Sequence, residues 1–227
     1  MLAPYKAEFI EFMVRAGVLS FGDFVTKSGR KTPFFVNTGR YGTGSDLLRL
    51  GRFYAQAIVD RLGEEFDVLF GPAYKGIPLV AATSIALFEQ HQQNAGFVFN
   101  RKEAKDHGEG GLLIGQPLRD GSRVLIVEDV TTAGTSVREC VPLLRAAARV
   151  QIAGLVVSVD RMERGTGPLN ALAELQLELG APCFSIVTIE EVMSFLRGRQ
   201  IDDREIVTDS IYERFLKYRS EYGGKTA

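Results

Sequence analysis

Five short, almost wholly apolar runs recur along the chain: Val68–Phe70, Phe97–Phe99, Val124–Val127, Leu155–Val159 and Phe184–Val187, with helical stretches between most of them. Strands this short and this apolar need cover on both faces. Alternation with helices supplies it by building a mainly parallel sheet flanked on either side. The expectation is an α/β fold whose ligands sit at the carboxyl ends of the strands. The length of 227 residues suits a single domain, and no internal repeat or low-complexity linker divides it.

The flanking segments are readable too. From Tyr5 to Ala16 the residues Phe9, Phe12, Met13 and Ala16 recur at helical spacing, with Gly17 as a stop. Phe21–Thr26 and Thr32–Asn37 are β-prone runs around a Gly-containing loop, which predicts a hairpin. Residues 1 to about 40 are read as a small cap within a single 1–227 domain. Ser45 is the expected N-cap of a helix carrying Leu47, Leu50, Tyr54, Ala57 and Ile58 to Gly63. Beyond Asp203, Ile206, Ile211, Phe215 and Tyr218 predict a closing helix, and Gly223-Gly224 a fraying tail.

Charge narrows the function classes. The 27 basic and 28 acidic side chains leave a net charge of -1, without the broad basic footprint of a nucleic-acid binder. Any anion site must then be local. Cys140 and Cys183 have neither the spacing nor the histidine neighbours of a zinc site and read as reduced core thiols. Glu8 and Glu11 interrupt the N-terminal apolar residues, unlike a signal peptide, and the longest apolar run, Ile77 to Phe88, falls short of the roughly 18 residues of a membrane span. A cytoplasmic protein with no membrane or nucleic-acid partner is expected.

Chemistry concentrates in Val124-Leu125-Ile126-Val127-Glu128-Asp129-Val130-Thr131-Thr132-Ala133-Gly134-Thr135-Ser136. A buried strand ends in two carboxylates, passes through small residues and enters a helix. Such a turn aims backbone N–H groups and a helix N-terminus at one point, which suits a phosphate, and the hydroxyls of Thr131, Thr132, Thr135 and Ser136 add donors. Carboxylates beside a phosphate repel it unless they accept from sugar hydroxyls or help hold a cation, so a phosphorylated sugar meets both demands. The plainer alternative is a strand-to-helix turn whose threonines only cap the helix. No GxxxxGK[ST] occurs, and neither Gly42-Thr43-Gly44 nor Gly165-Thr166-Gly167 has the third glycine of a dinucleotide fingerprint.

Four further segments carry chemistry-bearing side chains. Thr26-Lys27-Ser28-Gly29-Arg30-Lys31-Thr32-Pro33-Phe34-Phe35 combines a cation with aromatic rings, though by themselves Lys27 reads as a turn lysine and Phe35 as a core aromatic. Phe70-Gly71-Pro72-Ala73-Tyr74-Lys75-Gly76 is a strand end and tight turn where backbone can approach a ligand. Asn100 to Gly111 holds Arg101, Lys102, Lys105 and His107 with Gly108, Gly110 and Gly111, a pattern that otherwise reads as a solvated surface loop. Ser158-Val159-Asp160-Arg161 ends a strand with a guanidinium, whose planar fork suits a carboxylate. His91 has no motif context and reads as structural.

Together these segments resemble the orotate phosphoribosyltransferase branch of the type I phosphoribosyltransferases over nearly the whole chain. The resemblance implies a central mainly parallel sheet, a small N-terminal hood and a mobile lid loop. It implies that Glu128 and Asp129 contact the ribose while Val130, Thr131, Thr132, Ala133, Gly134, Thr135 and Ser136 hold the 5′-phosphate of phosphoribosyl pyrophosphate (PRPP). Lys27, Tyr74, Lys75, Arg101, Lys102, Lys105 and His107 join them at the donor site, the lid cations commonly reaching a neighbouring subunit in a homodimer. Orotate is assigned to Phe35, Val36, Thr132 and Arg161; Val36 stands where similar enzymes often have a second aromatic.

The implied reaction displaces pyrophosphate from the anomeric carbon by a ring nitrogen of orotate. Lys27, Arg101, Lys105, His107 and Asp129 are the expected catalytic groups. Mg²⁺ is the expected cofactor, held mainly by PRPP, with no certain protein ligand and with Glu128 and Asp129 as candidates. Lid closure excludes water, and Lys105→Ala is expected to cut turnover far more than donor binding. A phosphoribosyltransferase for another base would not share Lys27, the Phe34-Phe35 segment and Arg161; a PRPP-sensing nucleic-acid regulator fits poorly with the near-neutral charge.

Overall fold

A computed structural model describes residues 2–25, 30–105, 111–131 and 134–225, with only the backbone for Ala104 and Lys105. It opens with α1 (Pro4–Arg15), where a proline in the first turn sacrifices no helical hydrogen bond and Phe9, Ile10, Phe12 and Met13 are buried. β1 (Leu19–Val25) and β2 (Lys31–Val36) form the expected antiparallel hairpin, irregular between Phe21 and Phe24. A 3-10 turn, Thr38–Arg40, leads to α2 (Gly44–Leu62).

The cap of α2 is Thr43 rather than Ser45. Thr43 Oγ1 accepts from the Asp46 N–H at 3.1 Å, and the Asp46 carboxylate accepts from the Thr43 N–H at 3.0 Å. That reciprocal box requires an acidic side chain three residues after the cap, which Ser45 lacks.

The remaining elements are β3 (Val68–Gly71), α3 (Gly76–His91), β4 (Gly96–Lys105), β5 (Gly111–Gly115), β6 (Arg123–Val127), α4 (Thr135–Ala147), β7 (Gln151–Asp160), α5 (Ala171–Leu179), β8 (Cys183–Thr188) and α6 (Ile189–Leu196). A short ribbon of β9 (Gln200–Ile201) and β10 (Arg204–Glu205) precedes α7 (Asp209–Tyr222). The central sheet runs β5-β4-β3-β6-β7-β8, parallel except for β5 at one edge. The five apolar runs are its five parallel strands.

Their continuous hydrophobicity follows from two cores. Leu69, Leu125, Val127 and Val156 face the cluster that includes α1, α2, α3 and α6. Their neighbours Val68, Phe70, Val124, Ile126, Leu155 and Val157 face the cluster that includes α4 and α5. Alternate side chains point to opposite faces of a strand, so both sets must be apolar. Among the described residues no helix is long and apolar enough to cross a membrane.

α7 closes over the hairpin, with Phe34 packed edge-on against Phe215 and Tyr218 at ring separations of 6.2 and 5.7 Å. The tail expected to fray is fastened as far as Lys225. The Gly224 N–H donates to the Met162 carbonyl at 2.9 Å, the Lys225 N–H to Pro168 at 3.0 Å, and the Asn170 N–H to Lys225 at 2.8 Å. Backbone pairing of this kind leaves no mark on composition.

One topological feature positions the site. From β3 the chain proceeds to β4 on one side, whereas β6 continues to β7 and β8 on the other. The loops leaving β3 and β6 therefore diverge, opening the crevice where doubly wound sheets bind ligands.

Candidate active site

The β3 loop is set by glycines. A Cβ on Gly71 would lie 2.2 Å from the Gly76 carbonyl oxygen, and one on Gly76 would lie 2.6 Å from the Gly71 carbonyl carbon, so the two ends of the loop meet backbone on backbone. Asn100 Oδ1 accepts from the Ala73 N–H at 2.9 Å, tying the loop to β4. Tyr74 and Lys75 are left exposed, and Lys102 Nζ lies 5.1 Å from the centre of the Tyr74 ring, within cation–π range.

Across the crevice, the end of β6 is anchored from several directions. Ser158 on β7 donates to the Asp129 carbonyl from its N–H at 2.9 Å and from Oγ at 2.6 Å. The Tyr54 hydroxyl on α2 donates to the Glu128 carbonyl at 2.7 Å. Ser136 in the first turn of α4 donates to Glu128 Oε2 at 2.7 Å, and the Asp129 N–H donates to Oε1 at 3.0 Å. The Gly134 N–H donates to Thr131 Oγ1 at 3.0 Å. Gly134 itself sits at φ +72°, a left-handed conformation that favours glycine.

Asp129 faces the other loop. Its Oδ2 accepts from Lys75 Nζ at 2.9 Å and from the Thr38 hydroxyl at 2.6 Å, and Lys75 also reaches Thr38 Oγ1 at 3.1 Å. A cavity of about 150 Å³ opens beside this triangle, lined in part by Tyr41, Leu50, Tyr54 and Ser158.

The two adjacent carboxylates are driven apart electrically. Burial pushes Glu128 up to about 7, offset only in part by the hydrogen bonds from Ser136 and the Asp129 N–H. Burial also raises Asp129, but the hydrogen bonds from Lys75 and Thr38 outweigh it and hold this carboxyl below its ordinary value. The turn thus offers one ionised carboxylate on the crevice side and one beneath it that resists ionisation.

A second cluster lies at the end of β7. Arg161 is buried, its guanidinium 4.4 Å from the centre of the Phe34 ring. Its Nε donates to Glu163 Oε1 at 2.9 Å, and Nη2 donates to the same oxygen. Phe35, on the opposite face of β2, is 44% exposed and stacks on Phe24 at 5.6 Å. Val36 is partly buried against the larger core.

Of the residues singled out in the sequence, Tyr74, Lys75, Glu128, Asp129, Val130, Thr131, Gly134, Thr135 and Ser136 lie beyond the carboxyl ends of β3 and β6, and Arg101 and Lys102 lie within the second half of β4. Lys27, His107, Thr132 and Ala133 lie outside the described residues, and Lys105 enters only through its backbone at the end of β4. The structure joins Lys75 to Asp129, Tyr74 to Lys102 and Ser136 to Glu128, whereas the ring under Arg161 is that of Phe34 and not Phe35. Thr38, Tyr54, Asn100, Ser158, Glu163 and Tyr218 have no site role assigned from the sequence, although Asn100 and Ser158 lie within its chemistry-bearing segments. Each acts through a partner at least 27 residues away, except Glu163, whose partner Arg161 is only two residues off in a charged stretch. Its signal was the Arg-x-Glu spacing itself.

Residues 37–173, more than half of the chain, match the model of the phosphoribosyl transferase domain family. An orotate phosphoribosyltransferase of Clostridium acetobutylicum is 54% identical over 99% of this chain and 100% of its own. The chain belongs to the orotate phosphoribosyltransferase family. An orotate phosphoribosyltransferase of Pseudomonas paraeruginosa is 52% identical over 98% of this chain and all of its own. The crystal structure of the Francisella tularensis orotate phosphoribosyltransferase superposes with a TM-score of 0.82 at 34% identity, covering 96% of this chain and 100% of that one. The full-length agreement places the hairpin, the crevice and α7 alike within the orotate phosphoribosyltransferase architecture.

Proposed function

We propose that the chain transfers the phosphoribosyl group of PRPP to orotate, giving orotidine 5′-phosphate and pyrophosphate in pyrimidine biosynthesis. The observation that carries this reading is the meeting of Lys75, Asp129 and the Ser136-bonded Glu128 at the point where the β3 and β6 loops diverge. A bond forms between a ring nitrogen of orotate and the anomeric carbon, while the bond from that carbon to the pyrophosphate oxygen breaks. The protein's work is to hold the reactants in line and to stabilise separating charge.

Asp129 receives the ribose hydroxyls in place of Thr38 and Lys75, which frees the Lys75 ammonium to turn to the pyrophosphate. Glu128 fixes the turn through Ser136 and joins Asp129 beside the ribose. Residues Val130 to Ser136 hold the 5′-phosphate on backbone N–H groups and hydroxyls at the start of α4. Arg101, Lys102, Lys105, His107 and Lys27 supply positive charge over the leaving group. Arg161 takes the orotate carboxylate and Thr132, Phe35 and Val36 border the ring, with Phe34 beneath the guanidinium. The hairpin and α7 together make the base-binding cap within one domain.

Magnesium belongs to this reading. Among the described residues no group of three His, Cys, Asp or Glu side chains is placed to hold a metal; Asp129 and Glu128, with the donor's oxygens, would hold the ion, and it would supply positive charge to the departing pyrophosphate. A homodimer completes the site from a neighbour's lid; exposed Ile85 and Phe88 on one side of α3 support such a contact. The free thiols Cys140 and Cys183 fit a reducing, cytoplasmic setting.

The deciding assay mixes protein, Mg²⁺, PRPP and orotate and follows orotate's ultraviolet absorbance, with adenine and xanthine as competing acceptors. Orotate-specific loss is expected; preferential consumption of either purine would overturn the reading.

A further inference from the structure

The buried cluster at the end of β7 contains more than the substrate contact assigned to Arg161. Glu163 is itself buried at 7% exposure, and three groups converge on it. Arg161 binds Oε1 through Nε and Nη2, the Tyr218 hydroxyl of α7 donates to the same oxygen at 2.7 Å, and Arg30 Nη1 lies 3.7 Å from Oε2. Phe34 supports the flat face of the guanidinium, and Tyr218 and Phe215 support Phe34.

A guanidinium has two edges that can each face a carboxylate. Glu163 engages the edge built from Nε and Nη2, whereas Nη1 donates to none of the described residues. An unpinned arginine must lose several rotatable degrees of freedom on binding. Here a ring below and a carboxylate at one side have already removed them. The negative charge of Glu163 also offsets the cost of burying a cation before any ligand arrives. Arg30 supplies a second positive charge, so a ligand carboxylate can join without leaving the cluster with an excess of negative groups.

We infer that Glu163 and Tyr218 are positioning residues for base selection: they hold Arg161 so that its remaining edge receives the carboxylate of the acceptor ring. This deepens the proposed function and rests on it. Through Tyr218, 55 residues beyond Glu163, it also gives α7 a part in choosing the base.

The test compares full-length wild type, Glu163→Gln, Glu163→Asp and Tyr218→Phe by steady-state kinetics, varying orotate and PRPP separately and offering uracil, the same ring without the carboxylate. Glu163→Gln is expected to raise KM for orotate about tenfold or more, as removal of one member of a buried charge pair does. KM for PRPP should stay within about twofold, and the preference for orotate over uracil should fall in step. Glu163→Asp should recover part of the loss. Tyr218→Phe removes only a hydroxyl and should raise orotate KM about threefold, which keeps the question answerable should Glu163→Gln fail to fold. An unchanged orotate KM, or parallel increases in both KM values, overturns the inference. Arg161→Lys separates the levels: if it leaves orotate KM unaltered, the substrate contact itself is wrong and the positioning role falls with it. Wild type that consumes PRPP only with another base refutes the function instead.

Discussion

Lys75 Nζ lies 2.9 Å from Asp129 Oδ2 although 54 residues separate the two in sequence, and the hydroxyl of Thr38 bonds to both. The β3 and β6 loops thereby meet through a charge pair at the mouth of the crevice. The Lys75 side chain is 64% exposed, so this pair contributes less than about 1 kcal/mol to stability. On the proposed function, its value lies in where it holds a carboxylate and an ammonium before the donor arrives.

Asp129→Asn should therefore impair binding far more than folding. KM for PRPP is expected to rise at least about tenfold, with Thr38→Val raising it about threefold. Thermal melting of Asp129→Asn should stay within about 4 °C of wild type, as a change below 1 kcal/mol implies in a chain this size. A large drop in melting temperature with unchanged KM would show the carboxylate to be structural.

Glu128 gives a pH dependence with a definite sign. Its carboxyl is raised by burial to about 7 in the folded protein from an ordinary value of 4.5. The folded state therefore holds the proton more tightly than the unfolded state. The associated stability is present below pH 4.5 and lost as pH rises through 7. Glu128→Gln, which never ionises, should gain on wild type by on the order of 2 kcal/mol between pH 5 and 8. Urea titrations of both proteins across that range provide the check, and a pH-independent difference would refute it.

Gly134 is the N-cap of α4, at φ +72°, and a Cβ there would lie 2.9 Å from Leu175 Cδ2. Gly134→Ala combines left-handed strain with pressure on the buried Leu175, an expected cost of about 1–3 kcal/mol. Because the Thr131 hydroxyl accepts from the Gly134 N–H, the turn proposed to hold the 5′-phosphate should shift as well. Denaturant midpoint and PRPP affinity, measured together, should both decline.

Phe34 and Phe35 are adjacent but should respond differently. Phe34→Leu removes the ring beneath Arg161 and its contacts with Phe215 and Tyr218, for an expected loss of about 1–2 kcal/mol and a several-fold rise in orotate KM. Phe35→Leu, at an exposed ring stacked on Phe24, should cost less than about 1 kcal/mol. Equal effects on orotate KM would contradict the assignment of Phe34 as the support for Arg161.

The sequence by itself determined the α/β class, the five parallel strands and the loops proposed to bear the donor site. Strand burial, helix periodicity and turn chemistry are local, so Val124–Val127 followed by Glu128-Asp129 and a small-residue turn states them within a dozen residues. Tertiary structure alone decided that β3 and β6 lie side by side, that Thr38 meets Asp129, and that Tyr218 meets Glu163. It also chose Phe34 over Phe35, since alternation places two neighbouring rings on opposite faces of a strand without saying which face is covered. The fastening of the tail through Lys225 belongs to the same group. Contacts closed across 27 to 91 residues follow from which surfaces remain to be buried once the elements exist, and no local pattern encodes that choice.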